Sequence, residues 1–176
     1  MKASALMFAV VVLASGFLAS GADAATATHD DLVHAQGACQ PTVPTSSLRA
    51  YSTGLRNAGT TSIYVTCAVF GQYYESAEGS SFIRVAVGNV NGSLRAISCT
   101  LSTGWTSSVT AGQVTQGVFP KQINVAGNSL TFIDFSAETV LGAADRRFSN
   151  ASVTCLLQPY TEIKWIRRVY AEEIGT

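Results

Sequence analysis

From Ile63 onward, apolar and polar side chains alternate with a period of two. Ile63, Val65, Cys67 and Val69 are interleaved with Tyr64, Thr66 and Ala68, the mark of a half-buried strand. The same alternation carries Ile83, Val85 and Val87, then Ile97, Cys99 and Leu101, then Ile133 and Phe135, and finally Val153, Cys155 and Leu157. In the last stretch, Tyr160 to Tyr170, the residues Ile163, Trp165, Ile166 and Val169 fit one helical face. Their β-branched and aromatic content favours a strand. Gly and Asn punctuate these runs, and no segment reads convincingly as a helix. The pattern predicts an all-β fold, an antiparallel β-sandwich or jelly roll of about seven to eight strands.

The segment Ser81 to Ser102 predicts a hairpin around Val90-Asn91-Gly92. A three-residue loop sets Ile83 opposite Cys99 and Val85 opposite Ile97, so that both apolar rows share one face. A two-residue loop would put the rows on opposite faces. The longer loop also places Gly92 at a left-handed bulge position, where the absence of a Cβ removes the penalty.

The first residues have a different character. Lys2 precedes an apolar run from Ala5 to Leu18, and Ala22-Asp23-Ala24 supplies small residues for cleavage before Ala25. A membrane anchor would need about 20 apolar residues, and this run breaks at Gly16 and Ser20. Residues 1–24 are therefore expected to be a signal peptide. Residues 25–38, with His29, Asp30, Asp31 and His34, are expected to form a flexible polar arm, and 39–176 a single sandwich domain. The Ala-rich leader and the excess of Arg over Lys point to a bacterial source.

Export gives the cysteines their meaning. Cys39, Cys67, Cys99 and Cys155 all follow the leader, and an even number in an oxidising compartment predicts two disulfides. They stand too far apart for a zinc site of C-x₂-C type. Three pairings are open to four cysteines, and spacing does not choose among them. Cys67, Cys99 and Cys155 each follow Thr or Ser and lie between aliphatic residues two positions away, which points the sulfurs into the core.

This layout resembles small exported bacterial β-sandwich proteins with four cysteines. The resemblance rests on Ala38-Cys39-Gln40-Pro41, the mid-chain strand cysteines and Cys155-Leu156-Leu157-Gln158-Pro159. It covers most of Cys39 to Tyr170 and implies a fold but no active-site residues, because such families are largely uncharacterised and the motifs are structural.

Composition narrows the function. The chain has 11 basic and 11 acidic residues, 12% charged and 47% hydrophobic, which argues against nucleic-acid binding and against disorder. Both histidines lie in the expected arm, so a Ser-His-Asp or Cys-His site would need its base delivered by an unanchored segment. His29, Asp30, Asp31 and His34 offer weak metal ligands at most, so no metal and no cofactor is expected. Asp134 and Glu138 would stand about 13 Å apart on a strand, against about 5–9.5 Å in glycosidases, so an enzyme is not expected. Arg146-Arg147 and Arg167-Arg168 read as scattered surface charge. Tyr73 and Tyr74, in Gly71 to Ser80, and Trp105 are the candidate ligand-binding rings.

The expectation is a secreted or periplasmic, non-enzymatic protein with a binding or structural role in the bacterial envelope or extracellular space. Its partner would be a protein or a glycan, with no nucleic acid and no membrane span after cleavage. A carbohydrate-binding module using Tyr73, Tyr74 and Trp105 is the alternative, and a secreted hydrolase a weaker one.

Overall fold

The computed structural model describes residues 25–69, 79–106, 114–142 and 147–174. The expected signal peptide, residues 1–24, lies outside them. The first two strands, β1 (Ala25–His34) and β2 (Cys39–Pro41), flank a single helical turn, α1 (Ala35–Ala38). Next come β3 (Leu48–Tyr51), β4 (Gly54–Asn57), β5 (Ile63–Ala68), β6 (Ser80–Asn89), β7 (Arg95–Thr106), β8 (Val114–Val125) and β9 (Ser129–Ser136). A second short helix, α2 (Ala137–Leu141), precedes β10 (Arg147–Leu157) and β11 (Thr161–Ile174). The fold is all-β and antiparallel throughout, with eleven strands among the described residues. This exceeds the number read from the sequence because β1 is polar and β2, β3 and β4 are too short to show a period.

The strands form two arms of one continuous sheet. In the first arm β9 pairs with β6 and β6 with β11. The far edge of β11 is shared, with β4 at Glu162 and Ile163 and β1 from Trp165 to Ile174. In the second arm the order is β2, β5, β10, β7, β8. The arms join where Phe148 of β10 meets Ser80 of β6. Their inner faces close on one core that takes Ile83, Val85, Ile133, Phe135 and Ile163 from the first arm and Val65, Ile97, Leu101, Val153 and Leu157 from the second.

Both disulfides lie in the second arm. Cys39 pairs with Cys67 across β2 and β5, and Cys99 with Cys155 across β7 and β10. Cys67, Cys99 and Cys155 are completely buried, as their flanking aliphatics foretold.

Two expectations are corrected. The hairpin does not form: β6 pairs with β9 and β11, while β7 pairs with β8 and β10. The requirement that both apolar rows share a core is met equally well by strands facing each other across it, and that is the solution adopted. The buried Asn89 holds the crossover. Its amide donates to the carbonyls of Ser93, Val125 and Ala126, and its Oδ1 accepts from the Asn91 N–H. Gly92 is not among the glycines with positive φ. A Cβ on Gly92 would meet nothing within 4 Å; the glycine that close approach requires is Gly127, whose Cβ would come within 2.2 Å of the Gly92 carbonyl oxygen.

The second correction concerns residues 25–38, which are not a flexible arm. Ala25–His34 runs as a full strand against β11, and α1 buries Ala35 and Ala38. Ala35 joins the core cluster, but none of the described side chains of β1 does. The strand is held instead by its backbone ladder and by charge pairs, which hydrophobic patterning does not reveal.

Candidate functional site

Tyr73 and Tyr74 lie outside the described residues. Trp105 pairs through its backbone with Phe148 and Thr115 in β7, and its ring is outside the described part. Asp134 is on the outer face of β9, engaged by Arg84, and Glu138 is exposed on α2. His29 stacks on Tyr170, with ring centroids 5.2 Å apart. All four cysteines are in disulfides. The rings expected to carry binding thus lie outside what the described residues show, and those residues bring together a different set.

That set occupies the outer face of the first arm. On β9 the inward residues are Ile133 and Phe135, so Leu130, Phe132 and Asp134 face outward. On β6 the outward positions are Arg84, Ala86 and Gly88, opposite the buried Ile83, Val85 and Val87. On β11 the residues paired with them are Arg167, Trp165 and Glu162. The spacing changes from two to three because a bulge between Ile163 and Trp165 inserts one residue. Without it, Glu162 and Trp165 would point to opposite faces.

The result is three rows running across the strands, successive rows about 7 Å apart along them. In the middle row, the rings of Phe132 and Trp165 lean together over Ala86, with centroids 5.6 Å apart and planes tilted by 36°. Ala86 is fully buried although it is not part of the core, because these rings cover it.

On one side lies a row of paired charges. Arg84 donates from Nε and Nη2 to the two carboxylate oxygens of Asp134, each at 2.7 Å, a bidentate fork. Its guanidinium carbon is 4.8 Å from the centre of Phe132 and 5.3 Å from that of Phe82. Arg167 binds Asp30 of β1 in the same two-pronged way. The hydrogen bonds from Arg167 hold Asp30 below the usual carboxylate range. Arg84 and Arg167 are in turn held more firmly protonated by their carboxylates.

On the other side is a charge cluster around Glu162, which is only 1% exposed. Arg56 of β4 donates to its Oε2 from Nε at 3.0 Å and Nη2 at 2.9 Å, and Lys164 reaches its Oε1 at 2.8 Å. Burial works to raise the Glu162 carboxyl, but the hydrogen bonds from Lys164 and Arg56 outweigh it and hold it below the usual range. Gly88 makes room for this: a Cβ there would stand 3.0 Å from Cγ and Oε1 of Glu162. Tyr51 stacks under Arg56 at 4.2 Å. Beside Glu162 and Lys164, an open pocket of about 300 Å³ is lined also by Asn128, Ser129 and Leu130.

Hydropathy patterning favours the inward row of each strand and so passes over the outward one. The available signal was Phe132, a bulky ring out of phase with Ile133 and Phe135. Among the described residues no cluster of three or more His, Cys, Asp or Glu is placed to hold a metal, and no helix is long and apolar enough to cross a membrane. No protein-family model, curated protein or solved structure matches the chain.

Proposed function

We propose that this chain is an exported, disulfide-braced binding protein that acts without catalysis in the bacterial envelope or the extracellular space. Its recognition surface is the outer face of the first arm. The observation that carries this reading is the Phe132–Trp165 ring pair, presented on rigid strands between two rows of paired charges. Aromatic rings offer large, stiff contact area at small entropic cost, and arginines locked by carboxylates present donors at fixed positions. Two disulfides fit a protein that works in an oxidising compartment. The binding role previously expected of Tyr73, Tyr74 and Trp105 passes here to Phe132 and Trp165.

Two measurements test the reading. Expressed with its leader, the protein should be recovered outside the cytoplasm beginning at Ala25, with an intact mass showing two disulfides. Recovery of the full-length reduced chain from the cytoplasm would overturn export. Incubated with cell envelopes of the producing organism, the wild type should co-sediment while Phe132→Ala/Trp165→Ala stays in solution. Equal retention of both would remove the face from consideration.

A further inference from the structure

We infer that the outer face of the first arm binds a neutral glycan, with a sugar ring stacked on Phe132 and Trp165 and its hydroxyls bonded to the flanking ion pairs. This rests on the reading of that face as the recognition surface and adds the chemistry of its ligand.

Charge decides first. Arg84 is matched by Asp134 and Arg167 by Asp30, so the row on this side of the rings has no net charge, and on the other side Glu162 offsets one of its two cations, Arg56 and Lys164. A polyanion would find each guanidinium already occupied and a carboxylate next to it. A hydroxyl-rich neutral ligand gains from the same arrangement. Both partners of each pair are part-exposed, Arg84 at 29% and Asp134 at 40%, Arg167 at 35% and Asp30 at 49%. A sugar hydroxyl donates to a carboxylate and accepts from a guanidinium, so one fixed pair satisfies both of its functions.

Area decides next, against a second copy of the chain. Phe132 is 42% exposed and Trp165 is half-buried. Even with Leu130 and Leu32 at its margins, the apolar strip offers on the order of 300 Å², against about 800 Å² per partner in a stable protein interface. That strip suits the apolar face of one or two sugar rings. Its two sides are bordered by the charge rows, which limit widening of an apolar contact and supply the polar groups that orient a small ligand.

The test uses the mature, oxidised protein. Titration with neutral polysaccharides and their oligosaccharides, beside acidic polysaccharides, is read by calorimetry. In a Trp105→Phe background Trp165 is the remaining tryptophan, so its fluorescence reports stacking directly. The expected result is binding to a neutral glycan that shifts Trp165 emission and stays within about twofold as NaCl rises from about 50 to about 500 mM, since no ion pair forms with the ligand. Phe132→Ala and Trp165→Ala should each weaken it by about tenfold or more, and Trp165→Phe, which keeps a flat ring, should recover most of the loss. The same Trp165→Phe variant guards against a mere folding defect.

No neutral glycan bound, binding confined to acidic polysaccharides that collapses with salt, or binding unchanged in both ring variants would each overturn the inference. So would ring-dependent self-association in sedimentation. If envelope retention still depends on the rings while glycans fail, the ligand class is wrong and the surface stands. If neither assay depends on the rings, both fall.

Discussion

The two arms of the sheet line one core with similar side chains, yet each is fastened in its own way. The second arm carries both disulfides on its inner face and a row of hydroxyls outside. There Thr66 bonds Thr42 at 3.1 Å and Thr154 at 3.0 Å. The first arm has no disulfide, and charge pairs on its outer side join β9 to β6, β4 to β11 and β1 to β11. A covalent crosslink ignores pH and salt but yields to reductant, whereas charge pairs do the reverse. The arm proposed for recognition is thus the one whose surface chemistry responds to solvent, and the crosslinked arm would serve as its support.

Removing a crosslink should do the most damage. Cys99→Ala/Cys155→Ala releases a loop of 56 residues and should cost about 4 kcal/mol on loop entropy. Cys39→Ala/Cys67→Ala, with a separation of 28, should cost about 3.5 kcal/mol. Urea denaturation of both variants should preserve that order, and reduction of the wild type should approach the sum. Losses well below 1 kcal/mol would show that the second arm does not depend on its crosslinks.

Next in size is Glu162→Ala, which strands Arg56 and Lys164 and should cost about 3 kcal/mol. That is the low end for breaking a buried pair, because both cations retain access to water. The acid response has a definite sign. Glu162 titrates lower folded than its ordinary value of 4.5, so its contribution is complete above that value and fades as pH falls through the folded one. Asp30 acts with the same sign. Glu162→Gln should therefore flatten the acid limb of a stability–pH profile recorded in urea. An unchanged limb would mean that the first arm is not held by this charge.

A smaller effect sharpens the point. Gly88→Ala crowds Cγ and Oε1 of Glu162 and should cost about 1–2 kcal/mol, falling by more than half in a Glu162→Ala background, where only the flexible Lys164 Cε at 3.2 Å stays close. Additive costs would place the strain elsewhere. Smallest of all is Thr154→Val, which removes one link of the hydroxyl row and keeps the β-branched shape. It should stay within about 0.5 kcal/mol in the same denaturation assay. A loss as large as that of Glu162→Ala would erase the contrast between the arms.

The inward rows were legible in the sequence because burial repeats every second residue, a rule that β5, β6, β7, β9 and β10 follow and that β11 breaks at its bulge. Partner choice was not legible. The rows of Ile83 and Ile97 share a core whether their strands lie side by side or face to face, and periodicity is blind to the difference. Asn57 and Asn89 were equally hidden. Each is buried, donates its amide to carbonyls distant in sequence and accepts from the N–H two residues ahead, a role specified only by the assembled fold. Glu162 escaped because carboxylates are expected at the surface, and its outward neighbour Trp165 because a one-residue bulge resets the phase.

The pairing of β1 with β11 also has a temporal side. The Asp30–Arg167 bond joins residues 137 apart, and the ladder around it runs from the first described strand to the last. A ribosome makes β1 first and its template last, so β1 has nothing to lie against until almost all of the chain exists. Completion of the sheet must wait for its final strand, and a topology so rich in distant contacts folds slowly. The export proposed above would profit from this, because a polypeptide whose sheet closes slowly stays threadable.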